Sequence, residues 1–323
     1  MRNIIDFLTL GLLHDKITQL CFYNTVCIDN KCDLFFDPYA ERAINDFSIP
    51  KVSLIHDVIY FDHPVFRASS TGRWIENVSD SIIKFSGKII TVSDFSKQKI
   101  IKYHRVKEDL VKVIHIRPNI IKSDVSPDFT DSVLKKYELK KNNYLIYVSS
   151  FWPHKNHLRL LEAFSKFVSS SDSDVKLALV GTFDIEKNPD SYKSVLLEKG
   201  LYGRVVFTYQ VSDQELKALL PNALAFVFPS IYEGFGIPAV EAMAAGVPLI
   251  CSNTGSLPEI AGNAALFFDP YNTDEIAAAI SEIVGNSDLR GKLIRLGYEQ
   301  AKKFADPDVM VNEYIKVFEE VMK

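Results

Sequence analysis

The chain has 323 residues, of which 47% are hydrophobic and 24% are charged, so it is long enough for about two globular domains of ordinary composition. Its net charge of −4 gives no overall attraction to nucleic acid, and we expect no nucleic-acid partner. The N-terminal apolar run spans roughly ten residues, whereas a membrane-spanning helix needs ~20. Because the run also lacks a small-residue cleavage site, the sequence predicts neither a membrane span nor a signal peptide.

Cysteine usage indicates a reducing compartment. The four cysteines are Cys21, Cys27, Cys32 and Cys251, and they include no Cys-x-x-Cys pair and no nearby histidine, which argues against a zinc site. We therefore expect free, mostly buried thiols and a cytoplasmic location.

One segment departs from the weakly acidic balance of the chain. Residues 84–122 contain ten Lys/Arg against three Asp/Glu, a local net charge of +7. Two interpretations stay open. The segment is a solvated surface, or it faces anionic lipid headgroups or a lipid-linked phosphate and holds the protein peripherally on the inner face of the membrane.

In the first half of the chain, short apolar runs alternate with polar stretches. The sequence predicts strands over 33–36, 52–56, 88–92 and 111–116. It also predicts a helix from Asp94 to about His104, capped by Ser93. The polar stretch from 118 to 143 predicts a domain boundary, so we assign residues 1–122 to a first domain and residues 123–143 to a linker.

From residue 144 the alternation is sharper. Predicted strands cover 144–148, 176–180, 204–208, 224–228, 248–251 and 265–268. Helices are predicted between them, with Ser212 and Glu215 forming a capping box and Thr273 capping the helix over 274–284. Strands that alternate with helices predict an α/β fold of two doubly wound, Rossmann-like domains that face each other across a cleft. The second domain covers 144–304, and the helix over 305–323 is a candidate for packing back on the first domain.

The most informative stretch runs from Glu233 to Glu241, with the sequence EGFGIPAVE. A buried strand precedes it and a helix of small residues follows, so residues 233–236 fall on the loop where α/β proteins bind ligands. Amide groups at a helix N-terminus suit phosphates or ionised oxygens, and carboxylates suit sugar hydroxyls. The loop therefore predicts a site for a polar, anionic ligand.

Five motifs in order carry a resemblance to a known family. They are SSFWPHKN at 149–156, LVGT at 179–182, SIYEGFGIPAVE at 230–241, AGVP at 245–248 and GSLPEIAG at 255–262. Over residues 144–285 the chain resembles the C-terminal domain of family 4 (group 1) glycosyltransferases, which are retaining enzymes of the two-domain GT-B architecture. The WPHKN segment most resembles the version found in bacterial mannosyltransferases of surface-polysaccharide synthesis.

The resemblance implies roles for individual residues. It places hydroxyls of the donor sugar at Glu233 and the Gly-Phe-Gly backbone, the ribose hydroxyls at Glu241, and the diphosphate at Lys155. Lys155 would then stabilise the leaving nucleotide electrostatically. The implied catalytic residues are His56, Lys155 and Glu233. The implied donor-binding residues are Ser150, Lys155, Gly181, Glu233, Gly234, Phe235, Gly236, Ile237 and Glu241.

In the first domain, the strand-end sequence Ser53-Leu-Ile-His-Asp57 resembles a His-Asp pair of sugar transferases in this family. The resemblance implies that His56 lies beside the donor sugar at the reacting centre and that Asp57 orients it. Ser93 is expected to cap its helix first and to contact a ligand second.

The sequence departs from the family pattern in two places. Many relatives carry an arginine near the diphosphate lysine, where this chain has Ser150 and His154. Arg159 follows Lys155 by four positions, and a protonated His154 is another source of positive charge. The first domain lacks the usual glycine-rich loop, and only residues 1–32 precede its first predicted strand. We therefore interpret this domain as shortened, either by truncation or as a compact variant whose acceptor the sequence does not identify.

The resemblance therefore implies a metal-independent, retaining hexosyltransferase that needs no cofactor beyond its nucleotide-sugar donor. GDP-mannose is the first donor to test and UDP-linked hexoses are the second, with a growing glycan or a lipid-linked saccharide as acceptor. Two alternatives stay open: a degenerate, non-catalytic transferase that acts as a partner subunit, and a nucleotide-sugar 2-epimerase. A dinucleotide oxidoreductase is disfavoured because no Gly-x-Gly-x-x-Gly follows a predicted strand.

Overall fold

The computed structural model describes residues 32–38, 49–68, 79–80, 82–118, 124–182 and 189–323, with the side chains of 64, 65 and 189–193 set aside. The chain divides into two compact units. Unit 1 comprises Met1–Ile116 and Pro307–Lys323, and unit 2 comprises Arg117–Asp306. Cys21, Cys27 and the N-terminal apolar run lie outside the described residues, whereas Cys32 and Cys251 are buried free thiols.

The described part of unit 1 is built on four parallel strands that are paired in chain order. The strands are β1 (Phe35–Asp37), β2 (Lys51–Leu54), β3 (Lys88–Thr91) and β4 (Val111–Val113). The helices between them are α1 (Ile59–Asp62), α2 (Pro64–Ala68) and α3 (Asp94–His104). The predicted cap of α3 is confirmed, because the Ser93 side chain accepts a hydrogen bond from the Ser96 amide at 3.1 Å. Strand β4 is shorter than predicted because its pairing with β3 ends at the Thr91–Val113 pair.

Unit 2 contains a six-stranded parallel sheet in the order β10-β9-β8-β5-β6-β7. Its strands are β5 (Tyr144–Val148), β6 (Lys176–Val180), β7 (Val205–Tyr209), β8 (Ala225–Phe228), β9 (Leu249–Ser252) and β10 (Ala265–Phe268). Strands β8 and β9 are buried along their whole length, as expected of parallel strands covered on both faces. The order is that of a Rossmann sheet, in which the first strand lies at the centre and the chain then builds outward on both sides. The predicted α/β class is therefore confirmed.

Eight α-helices of unit 2 precede, connect or follow these strands in the part of the chain that the structure describes. They are α4 (Pro127–Lys136), α5 (His157–Ser169), α6 (Pro189–Glu198), α7 (Asp213–Leu219), α8 (Ile237–Ala244), α9 (Leu257–Ala261), α10 (Thr273–Gly285) and α11 (Ser287–Lys302). The capping box of α7 is confirmed, with Ser212 and Glu215 bonded reciprocally. The predicted cap of α10 is wrong by one residue, because the Asn272 side chain accepts from the Asp274 and Glu275 amides and Thr273 is the first helical residue.

The prediction of a linker over 123–143 is also corrected. From residue 124 onward this stretch belongs to unit 2 and contains α4. The Ser126 side chain caps α4 with Pro127 at its first turn, and Val133 and Leu134 are buried. The cap and the proline favour the start of the helix, and the two buried apolar residues give it a face for packing. Helix α4 packs against α7.

The last helix, α12 (Pro307–Val321), is grouped with unit 1. The Phe36 ring contacts Tyr314 and Phe318, with ring centroids 5.7 and 5.3 Å apart, and Lys88 forms a 2.8 Å ion pair with Glu320. The chain therefore passes from one unit to the other twice. Among the described residues, no helix is both long enough and apolar enough to cross a membrane.

Several basic side chains of the 84–122 segment are engaged within unit 1. Lys97 pairs with Glu108 at 3.2 Å, and Lys99 pairs with Asp62 at 2.5 Å. Glu108 is already counted in the net charge of +7, whereas Asp62 lies outside the segment and lowers the charge that the segment presents. Pairing of this kind favours the interpretation of the segment as a solvated surface.

Candidate functional site

The candidate site lies where the strand order of unit 2 reverses. Strand β5 is hydrogen-bonded to β6 on one side and to β8 on the other. Loops at the carboxyl ends of strands diverge at such a point and leave a crevice that α/β proteins use for ligands. The segment after β5 carries Lys155, and the loop after β8 carries Glu233. Strand order therefore brings together two motifs that are distant in sequence.

Lys155 and Glu233 are in direct contact. The Lys155 Nζ donates to Glu233 Oε1 at 2.7 Å, and the two side chains are only 18% and 11% exposed. In this partly desolvated position an ion pair is stronger than one on the open surface. The pair offers one cation for a phosphate and one carboxylate for hydroxyls, side by side.

The backbone around Lys155 is held by buried polar contacts. The Tyr147 hydroxyl donates to the Lys155 carbonyl at 2.9 Å and lies 3.0 Å from the Ser230 hydroxyl. Asn156 has a φ of 62°, and its side-chain amide donates to the carbonyls of Pro229 and Pro270 at 3.0 and 2.7 Å. Asn156 thus fastens the lysine segment to the end of β8. The sequence alone predicted no role for Tyr147 or Asn156. The position of Asn156 directly after Lys155 would have indicated that Asn156 lies close to the site.

The loop from Glu233 to Ile237 is fixed from its buried side. The Ser256 amide and hydroxyl both donate to the Glu233 carbonyl, at 3.2 and 3.0 Å. Gly236 begins α8 with a φ of 94°, and a Cβ there would lie 2.7 Å from Leu257. Only glycine satisfies both the backbone angle and the space at this position. In the first turn of α8, Pro238 has no amide hydrogen and the Ala239 amide donates to the Gly236 carbonyl at 2.9 Å. The amides of Gly236 and Ile237 are therefore the ones that can meet an anionic ligand.

Ser150 and Gly181 are also brought together, at the ends of β5 and β6. Gly181 has a φ of 146°, and a Cβ there would lie 2.0 Å from the Ser149 carbonyl oxygen and 3.3 Å from the Ser150 amide nitrogen. Two neighbouring strand ends therefore approach each other backbone to backbone. This contact sets the path of the chain that leads to Lys155.

Glu241 lies on α8, one turn beyond the loop. It is the fifth residue of the helix and therefore lies just beyond its first turn. Burial raises the pKa of the Glu241 carboxyl, and the described residues supply no hydrogen bond or ion pair to it. A half-buried carboxylate without a protein partner is suited to accept hydroxyl groups of a ligand.

His56 belongs to unit 1 and follows β2. Although its side chain is exposed, the surrounding protein lowers the pKa of the imidazole by desolvation, which the Asp57 carboxylate partly offsets. His56 is therefore neutral at pH 7. Asp57 also accepts a hydrogen bond from the Ile59 amide at 3.0 Å at the start of α1. The role of His56 at the reacting centre stays a prediction.

The other candidate sources of positive charge near Lys155 are placed differently. Arg159 donates to the Asn156 side chain at 3.0 Å, and its guanidinium lies 5.4 Å from the Tyr271 ring centroid. His157 stacks on Phe151 at 3.5 Å, and burial lowers its pKa to about 3, so it is neutral at pH 7. Arg159 thus supports Asn156. Neither Arg159 nor the neutral His157, which the sequence did not single out, replaces the arginine of the family pattern in the arrangement described here. The role of His154 as a source of positive charge stays a prediction.

Fold and site together define a class of protein. Two units that are each built on a parallel α/β sheet match the GT-B architecture of glycosyltransferases, and the Lys155–Glu233 pair lies where the Rossmann strand order of unit 2 reverses. Two solved structures share the fold at low identity. HepE of Anabaena, solved with UDP and glucose, has a TM-score of 0.78 at 19% identity and covers 94% of this chain and 82% of that chain. A glycosyltransferase from Rickettsia africae ESF-5 has a TM-score of 0.77 at 18% identity and covers 99% of this chain and 85% of that chain.

The chain belongs to the family described as glycosyl transferases group 1, which matches residues 130–300. It is 33% identical over 273 residues to O-antigen chain mannosyltransferase B of Escherichia coli, covering 84% of this chain and 69% of that protein. It is also 33% identical over 231 residues to O-antigen chain mannosyltransferase RfbU of Salmonella typhimurium, covering 71% of this chain and 59% of that protein. The predicted family and its transferase class are therefore confirmed.

Proposed function

We propose that this protein is a retaining, metal-independent mannosyltransferase that transfers mannose from GDP-mannose to a growing glycan or a lipid-linked saccharide. The Lys155–Glu233 pair at the reversal of strand order carries this proposal. The similarity to two O-antigen mannosyltransferases supports mannose as the sugar and surface polysaccharide as the product. UDP-linked hexoses are the second donor class.

The proposed chemistry follows from the charges at the site. As the bond between the sugar and the diphosphate breaks, negative charge grows on the phosphate oxygens. The Lys155 ammonium and the amides at the start of α8 stabilise that charge without a metal ion. Glu233 accepts hydrogen bonds from sugar hydroxyls, and Glu241 accepts them from the ribose. In this assignment His56 lies beside the sugar carbon that reacts.

The proposal is tested first by thermal shift with GDP-mannose, UDP-glucose and ADP-glucose. A ligand at about 100 times its Kd adds ~2.7 kcal/mol to the free energy of unfolding, so the correct donor class raises the melting temperature measurably. Transfer of radiolabelled mannose to a lipid-linked saccharide is then assayed with and without EDTA, and we expect equal rates. Absence of both stabilisation and transfer with every donor would exclude a catalytic role and favour a non-catalytic partner subunit.

Replacing Glu241 with alanine is expected to weaken donor binding by about 1–3 kcal/mol, because charge-assisted hydrogen bonds to the ribose are lost. Burial without a protein partner destabilises this carboxylate, so the ligand-free variant should melt no lower than the native protein. Calorimetric titration and thermal melting measure the two effects. Glu282→Ala, an exposed helical change on α10, is the matched control. Unchanged donor affinity in Glu241→Ala would remove Glu241 from the site.

Replacing His56 with alanine is expected to lower the transfer rate about 10²-fold or more while leaving nucleotide affinity nearly unchanged. The reason is that a neutral imidazole beside the reacting sugar acts on the transition state and not on the nucleotide. Single-turnover rates and calorimetry on the same samples separate these effects. His63→Ala, at another histidine of unit 1, serves as the control. Equal losses of transfer and of affinity in His56→Ala would indicate a structural role.

A further inference from the structure

Phe235 is the side-chain anchor of the loop that precedes α8. It lies between Gly234 and Gly236, which have no side chains with which to hold the backbone. Phe235 is only 4% exposed, and its ring meets the Phe304 ring edge-on, with centroids 5.6 Å apart and planes at 90°. This is the geometry in which the positive edge of one ring faces the negative face of the other. The position of the loop backbone therefore depends on where Phe304 lies.

Phe304 has a second partner within unit 2. The guanidinium carbon of Arg117 lies 5.8 Å from the Phe304 ring centroid, within the range of a cation–π contact. The Arg117 Nε is buried and has no hydrogen-bond partner among the described residues, so the aromatic face is part of what compensates its burial. Phe304 is itself 4% exposed. Arg117, Phe304 and Phe235 thus form a continuous series of contacts that ends in the loop.

Arg117 and Phe304 lie close to the two points at which the chain passes between the units. Arg117 is the first residue of unit 2, and Phe304 lies two residues before Asp306, where unit 2 ends. Phe304 follows directly on α11, and its amide donates to the Ala301 carbonyl at 2.9 Å. Both points at which the chain passes between the units are therefore connected to the loop through aromatic and cation–π contacts.

We propose that Phe304 and Arg117 are positioning residues for the donor: they hold the Gly234–Ile237 backbone in the geometry that binds the nucleotide sugar. This inference rests on the proposed function for the ligand but not for the loop geometry. Without the Phe304 ring, the Ser256 hydrogen bonds still hold the loop at Glu233, but the two glycines let the backbone of residues 234–237 sample more conformations. Binding of the donor must then also restrict the loop backbone, which costs conformational entropy. Donor affinity therefore decreases although neither residue touches the donor.

Two measurements on the full chain test this inference with Phe304→Leu. Hydrogen exchange of the amides of residues 234–237 in the ligand-free protein should accelerate by about 2- to 10-fold, the range expected from losing one aromatic pair. The Kd for GDP-mannose, measured by calorimetry well below the melting temperature, should rise by a similar factor, with kcat at saturating donor little changed. Phe164→Leu is the control, because Phe164 is a fully buried residue of α5 that pairs with Phe167 instead. It should lower the melting temperature without changing exchange in the loop or donor affinity.

Arg117 provides a second, milder test should Phe304→Leu fail to fold. Arg117→Gln removes the cation and should accelerate loop exchange and raise Kd by about 2- to 5-fold, while Arg117→Lys should retain most of the native affinity. Native exchange and native affinity in folded Phe304→Leu or Arg117→Gln would overturn the inference, as would an equal loss of affinity in Phe164→Leu. If the native protein bound no nucleotide sugar, the proposed function would fail, whereas accelerated loop exchange in the variants would still support the positioning of the loop.

Discussion

Replacing Lys155 with alanine is expected to lower kcat for sugar transfer by about 10²–10³-fold, the usual loss when one donor to a developing oxyanion is removed. Lys155 is a cation whose Nζ is held beside Glu233 by an ion pair at 2.7 Å. No arginine replaces it among the neighbours described here, because Arg159 is occupied by Asn156 and the Tyr271 ring. The measurement is single-turnover transfer at saturating donor, with donor affinity determined separately.

Loss of the ion pair itself must be separated from loss of catalysis. Lys155→Ala leaves a mostly buried Glu233 carboxylate without its partner, which lowers stability by about 1–3 kcal/mol. Adding Glu233→Gln to Lys155→Ala should restore most of this stability but not the transfer. Lys166→Ala is the matched control, because it breaks a more exposed 2.7 Å pair with Asp274 and should cost less than about 1 kcal/mol. Transfer within a few-fold of native in Lys155→Ala would exclude a role in stabilising the diphosphate.

The second large effect is expected at Gly181. An alanine Cβ there would lie 2.0 Å from the Ser149 carbonyl oxygen and 2.7 Å from the Ser149 carbonyl carbon, both of which are backbone atoms that no rotamer change can move. The φ of 146° adds strain. We expect Gly181→Ala to destabilise unit 2 by about 3 kcal/mol or more, which lowers the melting temperature by roughly 6–12 °C for a unit of this size. Because Ser149 leads toward the Lys155 segment, any folded variant should also bind donor more weakly.

A second glycine provides the control for Gly181. Gly200 has a positive φ of 66°, and a Cβ there would meet no atom within 4 Å. Gly200→Ala therefore carries only the backbone strain, about 1–2 kcal/mol. Thermal melting of both variants separates strain from collision. Similar melting temperatures for the two variants would contradict the steric argument.

Sequence patterns predicted the strands of unit 2 well, because each strand is a short apolar run bounded by glycine, proline or a capping residue. The β5, β6 and β10 boundaries agree with the structure to the residue. Helix α4 was missed because only Val133 and Leu134 of its ten residues are buried, so its apolar periodicity is weak. In the folded protein the helix nevertheless forms, because Ser126 caps it and Pro127 begins its first turn. Composition and periodicity alone therefore mistook a packed helix for a linker.

The contacts within the candidate site could not be predicted as well from sequence patterns. Periodicity places Lys155 and Glu233 at the ends of strands, but it does not show that β5 and β8 are neighbours. The resemblance to the family assigned both residues to one donor molecule, but it did not give their direct contact. The contacts of Tyr147 with Ser230, and of Asn156 with two proline carbonyls, depend on the tertiary path of three separate segments. No local rule predicts them, because each side chain also fits an ordinary core or turn position.

The contact between Lys155 and Glu233 also has a consequence for selectivity. In the ligand-free protein each group compensates the charge of the other, and an inorganic phosphate or a sugar-free nucleotide that draws Lys155 away leaves Glu233 without its partner. A nucleotide sugar, in the proposed binding mode, compensates both charges at once, since its diphosphate meets the lysine and its hydroxyls meet the carboxylate. The pair thereby favours binding of the intact nucleotide sugar over binding of either fragment alone. The ion pair also assists turnover. Once the sugar has been transferred, Glu233 competes with the nucleotide product for Lys155, and re-formation of the pair promotes release of that product.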